Sequence, residues 1–178
     1  MPSPSPSPSL TRPDPSEHSA YILRYVSLVP DGPIGDTLAR QFEEYLPFYR
    51  GISEEKGAYR YAPGKWTLKQ VLGHIIDTER IIGYRGLAAS RGDKKPIPGF
   101  EQDDYVAAAN FDDRSVRDLI DEFASVRAAS VQLFKHMTGE MLVRRAIANN
   151  NEISARAAAF MIAGHERYHL AHMKEHYL

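Results

Sequence analysis

Four stretches of the chain place apolar residues every three or four positions, the period of a helix that buries one face. The first runs from about Asp36 to Tyr49, with Leu38, Phe42, Tyr45, Leu46 and Tyr49 on one side. Pro47 near its end is expected to kink it. The second starts after Trp66, where Thr67-Leu68-Lys69-Gln70 fits a capping box. It continues through Leu68, Val71, Leu72, Ile75 and Ile82 and stops near Gly92. The third covers about Ser115 to His136, with Val116, Leu119, Ile120, Phe123, Val126, Val131 and Phe134 inward and Gly139 beyond its end. The fourth begins near Ser154 with Ala157, Ala158, Phe160, Met161 and Ile162 and runs to Leu178.

The intervening segments carry weaker patterns. Tyr21 to Val29 is apolar enough to pack on a core, but it is short, ends at Pro30, and its state stays open. A long link from Asp93 to Arg114 contains the irregular KPIPGF and a short helical pattern at Asp103 to Ala109. Met141 to Ala148 carries a faint hairpin signal, and no run shows clear strand alternation. Residues 1–16 are dominated by Pro and Ser and read as a disordered tail, leaving 17–178 as one domain. The pattern therefore predicts an all-α fold, a four-helix bundle with a long crossover between its second and third helices. Such bundles build metal and ligand sites from side chains that face each other in the core.

Composition narrows the function. The 178 residues suit one domain. With 22 basic against 23 acidic residues and no Lys/Arg block, a nucleic-acid surface is not expected. No stretch approaches the roughly 18–20 apolar residues of a membrane span. The nearest, Ile75 to Ile82, is broken by Asp77, Glu79 and Arg80. The chain has no cysteine, which removes disulfides, thiolate ligands and Cys nucleophiles together. With no secretion signal at the start, a cytoplasmic protein is expected.

Histidine changes the picture most. Of seven, four fall near the end: His165, His169, His172 and His176, spaced four, three and four. At about 100° per residue they share one face, and that face continues the apolar stripe of Ala158, Met161 and Ile162. His165 and His169, one turn apart, can reach a single ion, and a third ligand must be His, Asp or Glu. His74 in the second helix is the best candidate, with Asp77 close by. His172 is a further ligand candidate, an outer partner or a packing residue. Three His with an open position make a catalytic type of metal shell. A single buried His is more often a hydrogen-bonded packing residue, and an i, i+4 pair arises by chance, so the weight lies on the whole cluster.

Two acids stand out beside the histidines. Glu79 falls inside the apolar stripe between Leu72 and Ile75 on the helical wheel. A buried carboxylate must be paired, protonated or near a cation. It is therefore either a general base or imidazole partner, or one half of an ion pair with Arg80, Arg85 or a residue of another helix. His165-Glu166-Arg167-Tyr168-His169 spells HExxH, the zincin peptidase motif. The longer zincin form needs Gly at 172 and His at 175, where this chain has His172 and Glu175, and the chain ends too soon for a downstream Glu ligand. A peptidase is therefore not expected, and Glu166 stays a base candidate or an exposed helix residue.

The stretches KWTLKQVLGHIIDTERIIGYR and AFMIAGHERYHLAHMKEHY together resemble the DinB-like superfamily, in its YfiT-like branch of metal-dependent hydrolases. The specific pieces are W-[ST]-x-[KR]-x-V-x-x-H-x-x-D and the terminal H-x3-H-x2-H, and the likeness spans about Tyr21 to Leu178. It implies a four-helix bundle and a divalent metal, zinc or nickel, on His74, His165 and His169. Part of the family transfers bacillithiol, and related proteins use mycothiol or glutathione. The expected function is a metal-dependent hydrolase or small-thiol S-transferase acting on a small molecule, with Asp77, Glu79 or Glu166 as base or outer partner. Arg85 and Tyr168 are candidates for contact with an anionic substrate. The alternative is a non-catalytic dimerising bundle with a structural or vestigial metal site, which His172 would close. A homodimer is compatible with either.

Overall fold

The computed structural model describes residues 12–178. All four periodic stretches are helices, numbered here with the shorter ones between them. They are α1 (Ala20–Val26), α2 (Ile34–Arg50), α3 (Glu54–Ala58), α4 (Leu68–Arg91), α5 (Gln102–Ala108), α6 (Val116–Lys135), α7 (Gly139–Val143) and α8 (Ala155–His176). The boundaries follow local chemistry. Thr67 and Gln70 close the expected capping box on α4, and Gly92 ends it in the left-handed conformation. Ser115 and Ser154 cap α6 and α8 by accepting from backbone amides three residues on. Pro47 stays inside α2, in its last turn.

Helices α2, α4, α6 and α8 form the bundle. α4 packs against α6 and α8, and so does α2. The successive bundle helices α2 and α4 therefore lie diagonally, as do α6 and α8. The link from α4 to α6 is the expected long crossover, and it contains α5 and a 3-10 turn at Phe111–Asp113. Tyr21 to Val29, whose state the pattern left open, contributes α1, which lies along α8. A side chain at Gly164 would stand 2.0 Å from the Tyr25 carbonyl oxygen, so glycine is what lets the α1 backbone approach α8 there.

Two features differ from the sequence reading. The hairpin lies at β1 (Arg145–Ala148) and β2 (Asn151–Ser154), so Met141 to Val143 belong to α7 instead. Asn149 and Asn150 make its turn with φ of 49° and 59°, values that Asn tolerates best after Gly. Of the Pro/Ser stretch, residues 1–11 lie outside the described residues, but 12–16 are seated on the bundle and not in a tail. The Arg12 guanidinium donates to the Val26 and Val29 carbonyls at 2.6 Å each. Asp14 caps a 3-10 turn at Pro15–Glu17, and Glu17 is paired with Arg156 of α8.

Two apolar clusters fill the bundle. One joins α1, the hairpin and the first half of α8 to Leu38, Ile82 and Phe134. The other joins Tyr49, Leu72, Ile75, Phe123 and Leu170 around the second half of α8. Between them, on three helices, sit three charged residues: Glu79 of α4, Arg127 of α6 and Glu166 of α8, all buried.

Candidate metal centre

α4 and α8 are direct neighbours, and each aims histidine at their seam. The ligand nitrogens of His74, His165 and His169 all lie within 4.8 Å of one another. His165 Nε2 is 3.1 Å from His74 Nε2 and 3.1 Å from His169 Nε2. One ring nitrogen has one lone pair or one proton, so His165 Nε2 cannot satisfy both neighbours through hydrogen bonds. A cation accepts all three lone pairs. A tetrahedral ion with Zn–N of about 2.0–2.1 Å needs nitrogens about 3.3–3.4 Å apart, close to the separations observed. The residues present thus fit a divalent metal.

The surroundings favour neutral rings. Burial lowers the pKa of His74 to about 4 and that of His169 to about 3, where the His74 and His172 charges add to the effect. His165 is pushed well below its ordinary value by burial and by its two partners. Metal ligation requires this unprotonated state. Thr78, one turn after His74, has its hydroxyl 3.4 Å from His74 Nδ1. With the proton on Nδ1, Nε2 keeps its lone pair toward the other two rings. His169 Nδ1 is buried with no partner among the described residues.

Aromatic rings wall the triad. Tyr25 stands edge-on to His165, Trp66 lies 4.9 Å from His74, and Tyr168 stands edge-on to His169. Burial, with the neighbouring Tyr21 hydroxyl, raises the pKa of Tyr25 far enough that it keeps its proton. Two adjoining cavities, with Tyr21, Gln102 and Asp103 in the lining of both, reach the triad. One, of about 370 Å³, reaches His74 and His165 and includes Thr78, Arg85 and Met161. The other, of about 560 Å³, reaches His169 between Tyr61, Trp66 and Tyr168.

The acids expected beside the metal are engaged elsewhere. Both Glu79 oxygens accept from Arg127, at 2.9 and 2.8 Å. Glu166 accepts from Arg127 Nη1, Gln41 Nε2 and the Tyr49 hydroxyl, and it is fully buried, where an exposed position was the alternative to a base. Asp77 is 3.7 Å from Arg80, and burial raises its pKa. None of the three lines either cavity. Burial opposes charge on Arg127, but the two carboxylates outweigh it and raise its pKa. The ion-pair partner of Glu79 is thus on another helix, and neither Arg80 nor Arg85 supplies it. His172 stands apart from the triad, with its ring against Tyr61 and His176.

Sequence reasoning missed Thr78, Tyr25 and Arg127, and it quoted Trp66 only as the first residue of the motif that ends on His74 and Asp77, with no role at the site. Thr78 carried a signal, its i+4 spacing from His74. Tyr25 and Arg127 meet the site through tertiary packing alone.

The DinB superfamily model matches residues 37–173, a span that contains all three histidines. A curated relative from Oceanobacillus iheyensis, provisionally named a metal-dependent hydrolase, is 27% identical over 125 residues, covering 69% of this chain and 71% of its own. The solved structure of YfiT from Bacillus subtilis, described as a probable metal-dependent hydrolase with an unusual four-helix bundle topology, superposes with a TM-score of 0.67. It is 14% identical, and the match covers 92% of this chain and 89% of that one. It shares the fold. No helix among the described residues is long and apolar enough to cross a membrane.

Proposed function

The chain belongs to the DinB superfamily, and from that premise we propose that it is a metal-dependent hydrolase whose ion is held by His74, His165 and His169. The observation that carries this reading is the convergence of three neutral imidazole nitrogens that protons cannot all satisfy. A divalent cation there, zinc or nickel, supplies Lewis acidity and activates water or a thiol near neutral pH. The protein's own residues set the conditions. Thr78 orients His74, Tyr25 and Trp66 exclude solvent from the rings, and the cavity beside Arg85 admits a small molecule. His172 lies outside the triad, which supports an open fourth position over a closed structural site.

A second reading, a small-thiol S-transferase, is favoured by one observation: two cavities reach the triad, enough for two reactants. Metal content per chain, measured by plasma mass spectrometry on untagged protein, tests the centre. About one ion per wild-type chain, lost in His74→Ala and in His165→Ala, is expected. No uptake after incubation with zinc and nickel would overturn it and favour a non-catalytic bundle. Hydrolysis of 4-nitrophenyl esters, with and without added glutathione or bacillithiol, then separates the two reactions.

A further inference from the structure

Arg85 is buried, at 7% exposure, and no carboxylate among the described residues pairs with it. Among the described residues its Nη2 donates to the Pro98 carbonyl at 3.2 Å, while the buried Nε–H has no acceptor. The buried Arg127 and Arg156, by contrast, hold Glu79 and Glu166, and Glu17, respectively. A guanidinium stays charged at any working pH, and burying it without a counter-charge is costly. The missing partner has a defined shape. In Arg127 the Nε and Nη2 edge closes on both oxygens of Glu79, at 2.9 and 2.8 Å. The same edge of Arg85 offers its Nε–H, and two parallel N–H groups match a carboxylate.

Arg85 also stands in the right place. It lines the cavity of about 370 Å³ that reaches His74 and His165, a volume suited to a small molecule. It follows His74 by eleven residues, three helical turns, so both side chains leave the same face of α4, and Thr78 lies between them. The helix rise between the two is about 16 Å. Glu101, Asp103 and Glu152, exposed in the same lining, repel any anion and a dianion more than a monoanion. We propose that Arg85 anchors the carboxylate of an elongated monoanionic substrate whose other end reaches His74 and His165. This substrate class rests on the metal-site reading above.

The probes are hexanoate, hexanamide and inorganic phosphate, titrated into the full chain with and without zinc and followed by NMR. Hexanoate is expected to bind at least tenfold tighter than hexanamide, and tighter than phosphate. The preference should drop below twofold in Arg85→Met and persist in part in Arg85→Lys. In the unmodified protein the Arg85 Hε resonance should move as hexanoate saturates, a readout that needs no variant to fold. Equal affinity for acid and amide, tighter binding of phosphate, a preference that survives Arg85→Met, or an unmoved Hε signal would each overturn the assignment. Zinc content is read in parallel. A lost carboxylate preference with one zinc per chain faults this inference alone, and a retained preference without zinc faults only the metal reading.

Discussion

Replacing Arg127 by Met tests how the bundle carries its buried charges. The change removes a guanidinium at 2% exposure and leaves Glu79 and Glu166, at 3% and 0%, facing each other across the core. Glu166 keeps Gln41 Nε2 at 2.5 Å and the Tyr49 hydroxyl at 3.0 Å, whereas Glu79 loses both of its donors. Removing one member of a buried ion pair costs about 3–5 kcal/mol. Domains of this size are stable by about 5–15 kcal/mol, so the variant should lose about a fifth or more of its stability. Urea unfolding followed by circular dichroism gives the number through linear extrapolation. Removing the stranded carboxylate as well, in Arg127→Met with Glu79→Met, should regain at least about 2 kcal/mol, since an apolar layer of similar volume tolerates burial. A loss below about 1 kcal/mol in the single variant, or additive effects in the pair, would refute the reasoning.

Three further predictions concern the site and its frame. In metal-free protein, His74 at about 4 and His169 at about 3 lie below the ordinary 6.5, so the unfolded chain takes up protons first. Stability is then fully present above about 6.5 and falls with pH; urea midpoints should drop from pH 7.5 to 5.5, and a flat profile contradicts this. Thr78→Val removes the hydroxyl beside His74 Nδ1 and should weaken zinc binding about tenfold or more in a competitive chelator titration, with little change in melting temperature. Gly164→Ala drives a methyl group into the Tyr25 backbone and should cost about 1–3 kcal/mol or more by thermal melting; an unchanged melt would show that α1 yields freely.

The helices were legible because their signals are local. A 3.6-residue apolar period, the Thr67–Gln70 box, the capping Ser115 and Ser154, and Gly92 fix the ends within about a turn. The shared face of His165 and His169 followed from the same period, as did the place of Glu79 on a buried stripe. The hairpin was displaced because its strands are four residues long and its turn relies on two Asn residues, not Gly. Arg12 to Ser16 were misplaced because what seats them, the carbonyls of Val26 and Val29 and the side chain of Arg145, comes from later in the chain.

By itself the sequence determined which faces are apolar, where helices begin and end, and which imidazoles share a stripe, since each depends on residues within a few turns. Only the tertiary structure decided that Glu79 and Glu166 go to Arg127, 48 and 39 residues away in sequence, leaving the histidines without a carboxylate partner among them. It also decided that Arg85 has no carboxylate partner among the described residues. Glu79 and Glu166 share the one guanidinium of Arg127 between α4, α6 and α8, and which charge meets which is set by how those helices pack, a property no local pattern contains.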